Sequence, residues 1–115
     1  MDSSVIDNAV FAELQEAAGA EFVAELVDTF LEDAPALIEE LRSARAAADA
    51  DRFRRAAHSL KSNSHTFGAT ALGGLARALE LDGFNADAAS DVAAIDAIAT
   101  AYAQAAAELK ALSHD

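Results

Sequence analysis

Apolar residues recur along this chain at the i, i+3, i+4, i+7 spacing of an amphipathic helix, in five successive segments. Val10, Phe11 and Leu14 mark a short first helix, with Asp7 as its N-cap and Gly19 as its stop. A longer second helix starts near Ala20 and carries Phe22, Val23, Leu26, Val27, Phe30, Leu37, Ile38 and Leu41. Pro35 interrupts that pattern, and a proline inside a helix removes a hydrogen bond and crowds the preceding turn. The periodicity resumes without a turn signal, so a kink rather than a break is expected.

Asp49 can cap a third helix whose apolar side holds Phe53, Ala57, Leu60, Ser64 and Phe67. It stops at Gly68, since glycine tolerates the left-handed backbone of a C′ position. Thr70 is expected to cap a fourth helix through Leu72, Leu75, Leu79 and Leu81, ending at Gly83. Residues 84–90 read as a connector, and Val92, Ile95, Ile98, Tyr102, Leu109 and Leu112 as a final helix. Short connections favour antiparallel neighbours. The expected fold is all-α: an antiparallel up-down four-helix bundle with an additional short N-terminal helix over one end, as a single domain of residues 1–115.

Composition narrows the function classes. Hydrophobic residues reach 53% but aromatics only 6%, which suits closely packed helices. The absence of cysteine excludes disulfides, thiol catalysis and thiolate zinc sites. No stretch approaches 18 apolar residues and the N-terminus lacks a signal-peptide pattern, so a cytoplasmic protein without a membrane partner is expected. A net charge of −12, from 20 acidic and 8 basic side chains, argues against nucleic acid. Arg52, Arg54, Arg55 and Lys61 nevertheless cluster within ten positions. Arg52 reads equally well as an ordinary exposed charge, whereas Arg54, Arg55 and Lys61 project on the same side as His58 and suit an acidic partner pocket.

Opposite the apolar side of the third helix stand His58, Lys61, Ser62 and His65. A nucleophilic imidazole in water, with a cation about 4.5 Å further along the axis, suits a group that briefly carries a negatively charged substituent such as phosphate. His58 and His65 are about 10.5 Å apart along the helix, too far to share a metal ion with bonds of about 2 Å. His65 reads as a surface residue or a rim contact for a partner, and His114 lies in the tail. No metal site, nucleotide motif or catalytic triad is expected.

The run containing Ala57, His58, Leu60, Lys61, Ser62, Ser64, Phe67 and Gly68 resembles the signature of histidine phosphotransfer (HPt) domains. Phe30, Leu31, Glu32, Asp33, Ala34 and Pro35 resemble the family's second helix, and Leu75, Ala76, Arg77, Ala78, Leu79 and Glu80 its fourth. The resemblance covers about residues 6–112. It implies a phosphocarrier in a two-component phosphorelay, with no autonomous kinase activity, in which His58 accepts a phosphoryl group from a receiver-domain aspartate and passes it on. Lys61 would pair with phosphoryl oxygens, and Ser62, where the family most often has glycine, would let a partner's loop reach the imidazole. Glu80 occupies a position where it either orients the imidazole through Nδ1 or is an ordinary exposed glutamate.

The implied partners are receiver domains of response regulators or hybrid histidine kinases. Mg2+ is expected on the receiver, with no cofactor on this chain and a monomeric state. The alternative is a helical adaptor that keeps the bundle for docking alone.

Overall fold

The computed structural model describes residues 5–84 and 87–113, which form five helices: α1 (Asn8–Ala18), α2 (Ala20–Ala46), α3 (Ala50–Thr66), α4 (Thr70–Asp82) and α5 (Ala88–Ser113). In α1 the Asp7 carboxylate accepts from the Ala9 and Val10 N–H groups at 3.0 and 3.3 Å, the expected cap. In α3 Asp49 does the same for Arg52 N–H at 3.1 Å. The helices α2, α3, α4 and α5 close a ring in which each packs on the next and α5 returns to α2. Their shared interior holds Val23, Val27, Leu41, Phe53, Leu60, Leu72, Ile95, Ile98 and Leu109, all fully buried. Each such side chain contributes about 1.5–3 kcal/mol relative to exposure.

The helix α2 passes through Pro35 without ending. Proline has no N–H, so the Leu31 carbonyl one turn earlier loses its usual donor. The Tyr102 hydroxyl on α5 donates to that carbonyl at 3.1 Å, and its ring meets Phe30 edge-on at 6.1 Å. A partner on another helix thus supplies what the local sequence withholds.

At one end of the bundle, Gly68 closes α3 with φ +80°, as its glycine character predicts. A side chain here would also collide with α1, because a Cβ would lie 2.8 Å from the Asp7 carbonyl oxygen and 3.2 Å from Val10 Cβ. The Gly68 carbonyl accepts from Asp7 N–H at 2.7 Å, which seats α1 on the α3–α4 turn. At the opposite end, the buried Asp91 carboxylate accepts from Arg45 at 2.6 Å and from Phe84 N–H at 3.2 Å. The Arg45 guanidinium lies 4.2 Å over the Phe84 ring, which packs edge-on against Phe53. This buried, fully paired charge anchors the start of α5 to the end of α2.

Three details depart from the sequence reading. Thr70 is the first residue of α4 rather than its cap; Ala69 holds the cap position, and its N–H goes to the Ser64 carbonyl at 2.9 Å. The connector is shorter than residues 84–90, because α5 begins at Ala88 once the Asp87 carboxylate accepts from Ser90 N–H at 2.7 Å. That bond, chiefly, holds the Asp87 carboxyl below its usual range. Asn85 and Ala86, like His114, lie outside the described residues.

The third departure is that Phe22, Leu75, Leu81 and Val92 are exposed rather than buried. Leu81 follows Leu79 by two residues, about 200° round the helix, so only one of them can face the core. Among the described residues, no helix is long and apolar enough to cross a membrane.

Candidate functional site

The apolar stripe of α3 is buried as its spacing predicts, Ser64 included, whose hydroxyl donates back to the Leu60 carbonyl at 2.7 Å. Burial of that stripe turns His58 outward, with 58% of its side chain exposed. The antiparallel packing of α4 on α3 brings Glu80 beside it, with Oε2 at 2.9 Å from His58 Nδ1. The other carboxylate oxygen, Oε1, lies 2.8 Å from Lys61 Nζ.

The Lys61 hydrogen bond is the chief reason that the Glu80 carboxyl sits below its ordinary range; partial desolvation opposes it and the His58 bond adds to it. An ionised carboxylate can only accept. A neutral His58 in this contact therefore carries its proton on Nδ1, leaving the Nε2 lone pair unprotonated.

Of the two readings of Glu80, the structure realises the contact with the imidazole. It also adds a contact that spacing along one helix did not suggest: Lys61 is tied to the same carboxylate and only 24% of its side chain is exposed. The three residues form one hydrogen-bonded unit, with Glu80 bridging an imidazole and an ammonium that lie three positions apart on the neighbouring helix.

The remaining candidates separate. Ser62 is exposed one turn beyond His58, and Ser59 beside it is exposed as well, so small side chains flank the imidazole on α3. Arg55 is exposed and pairs with Asp51 at 3.1 Å, while Arg54 is exposed and has no ion pair to any described residue. Arg52 turns to α2, donating to Glu40 at 2.7 and 3.2 Å and to the Ser43 hydroxyl at 2.9 Å. The mutual hydrogen bond lowers the Glu40 carboxyl and raises the Arg52 guanidinium, so this arginine serves helix pairing.

His65 is exposed at one edge, but its ring also lies on the α4 backbone: a Cβ on Gly73 would come within 2.7 Å of Cε1 and 2.8 Å of Nε2. Gly73 is a site residue that the sequence reading missed, and its helical position offered no signal. Between α2 and α3, Asp33, Ala36, Leu37, Glu40, Ser59 and Asn63 line an open groove of about 420 Å³ that His58 does not line. Among the described residues no group of three or more His, Asp or Glu side chains could hold a metal ion.

A solvent-facing imidazole with its Nδ1 held by a carboxylate, on a helical bundle, defines a candidate histidine phosphotransfer site. The Hpt domain family matches residues 25–112, and the chain belongs to that family. Among solved structures it is similar to histidine-containing phosphotransfer protein B (HptB) from Pseudomonas aeruginosa PAO1. The two share 29% identity over 98% of this chain and 97% of that one, with a TM-score of 0.88. No curated protein sequence matches the chain.

Proposed function

We propose that this phosphotransfer protein takes a phosphoryl group onto His58 Nε2 from the phosphoaspartate of a receiver domain, and returns it to a second receiver. The observation that carries this reading is the 2.9 Å contact between His58 Nδ1 and Glu80 on an exposed imidazole. In the forward step the Nε2 lone pair forms the N–P bond as the P–O bond breaks, and that electron pair leaves on the receiver's carboxylate. No proton need move, because Nδ1 already carries it. The ring becomes a phosphoimidazolium, and the Glu80 carboxylate lies where it stabilises that positive charge. Such a transition state needs positioning and charge more than acid or base, which fits a site where, among the described residues, Glu80 is the titratable group bonded to His58.

The chain acts as a monomeric carrier in the cytoplasm, draws its phosphate from partners and makes no phosphoryl donor itself. Mg2+ belongs to the receiver's pocket. Ser62, Arg54, Arg55 and the His65 edge ring the approach to His58 and are proposed as the docking rim, with receivers of response regulators or hybrid kinases as partners.

Incubation with a receiver carrying labelled phosphate tests the assignment. Wild type should acquire acid-labile, alkali-stable label, and His58→Gln should acquire none while melting within about 0.5 kcal/mol of wild type, as an exposed site allows. Label on His58→Gln would reassign the acceptor, and wild type that binds receivers without taking label would leave a docking adaptor.

A further inference from the structure

Five of the eight lysines and arginines are paired with carboxylates: Arg42 with Asp96, Arg45 with Asp91, Arg52 with Glu40, Arg55 with Asp51 and Lys61 with Glu80. The side chains of Arg54, Arg77 and Lys110 carry no hydrogen bond or ion pair to any described residue. Lys110 lies on α5, which does not pack against α3. Arg54 stands one turn before His58 on α3, and Arg77 one turn before Glu80 on α4.

The charge balance at the site makes this distribution consequential. Lys61 and Glu80 cancel, and a neutral His58 adds nothing. A phosphoryl group brings nearly two negative charges. Lys61 has three N–H donors and can keep its contact with Glu80 while meeting a phosphoryl oxygen, but its single charge is already offset by that carboxylate. A second, unpaired cation within reach supplies the charge that is missing.

The packing places Arg77 for that task. His65 against Gly73 and His58 against Glu80 set the register of the antiparallel pair α3 and α4, and in that register residue 77 falls opposite residue 61. Arg77 is exposed and lies three residues from Glu80, about 4.5 Å along the axis on the same helix face. A guanidinium presents a fork of N–H donors that matches two phosphoryl oxygens, which an ammonium does not.

We propose that Arg77 is the cation that meets the phosphoryl oxygens on His58, while Lys61 chiefly holds Glu80 in place. The inference rests on His58 being the acceptor. As the Nε2–P bond forms and the P–O bond to the donor breaks, Arg77 donates hydrogen bonds to the equatorial oxygens and gives up no proton.

Phosphoramidate, a small donor that needs no docked partner, tests it. Arg77→Ala and Arg77→Gln should each take up phosphate about tenfold more slowly than wild type, with unchanged circular dichroism and melting. Arg77→Lys should recover part of the loss, and the 31P resonance of the phosphohistidine should move in Arg77→Ala. Uptake at the wild-type rate with an unmoved resonance would overturn the proposal. So would a loss confined to receiver-borne phosphate, which would make Arg77 a contact for the partner. His58→Gln run in parallel separates the failures: label on that variant would sink the acceptor assignment itself, whereas its loss beside a fully active Arg77→Ala would sink only the role of Arg77.

Discussion

Replacing Glu80 by glutamine tests the hydrogen-bonded unit at its centre. The wild-type carboxylate accepts from His58 Nδ1 at 2.9 Å and from Lys61 Nζ at 2.8 Å. The amide keeps one acceptor oxygen, carries no charge, and offers donors that cannot hold Nδ1–H. A hydrogen bond to a charged group contributes about 1.5–3 kcal/mol when well shielded. His58 is 58% exposed and Glu80 23% exposed, so solvent screening brings the share felt by the imidazole down to about 1 kcal/mol. At about 1.4 kcal/mol per factor of ten, Glu80→Gln should take up phosphate from phosphoramidate about fivefold more slowly.

The assay is single-turnover uptake at saturating donor, beside 15N NMR of the His58 ring, in which the share of the Nδ1–H tautomer should fall. A wild-type rate together with an undiminished Nδ1–H tautomer would refute the reasoning. The same variant has a pH signature. The Glu80 carboxyl is lowered from 4.5 in the folded state, chiefly by Lys61, so its contribution to stability is fully present above pH 4.5 and is lost as pH falls through the lowered folded-state value. The melting difference between wild type and Glu80→Gln should therefore shrink in strong acid, and a difference that grew there would contradict the sign.

Tyr102→Phe removes the donor that replaces the missing Pro35 N–H, leaving the Leu31 carbonyl without it. That should cost about 1 kcal/mol and lower the melting temperature by about 4 °C in calorimetry, with phosphate uptake unchanged. Ser62→Gln should keep the helix and accept phosphate from phosphoramidate nearly as well as wild type, but poorly from a receiver, because a long side chain beside His58 holds the partner's backbone away. Equal rates with both donors would show that the receiver does not dock over this turn.

What was legible in the sequence is what depends on neighbours within one helix. The i, i+3, i+4 spacing of Phe53, Ala57, Leu60 and Ser64 put those residues inside and His58 outside, because helix geometry alone decides which positions share a face. Asp7, Asp49 and Gly68 marked ends for the same local reason: caps and left-handed turns involve groups only a few residues apart. The exposed Leu81 and the misassigned Thr70 show the reach of that local rule, since an apolar side chain or a hydroxyl says nothing of which neighbour covers it.

Contacts between helices were settled only by tertiary structure. Tyr102 reaches Leu31 across 71 positions, Arg45 reaches Asp91 across 46, and Glu80 meets His58 across 22. Whether Glu80 is an idle surface charge or the partner of an imidazole depends on the register of α4 against α3. That register follows from how buried side chains interlock and from a glycine at position 73 that admits the His65 ring. The exposed histidine was therefore readable from the chain, while its hydrogen bond to a carboxylate and the charge beside it arise from the packing of two helices.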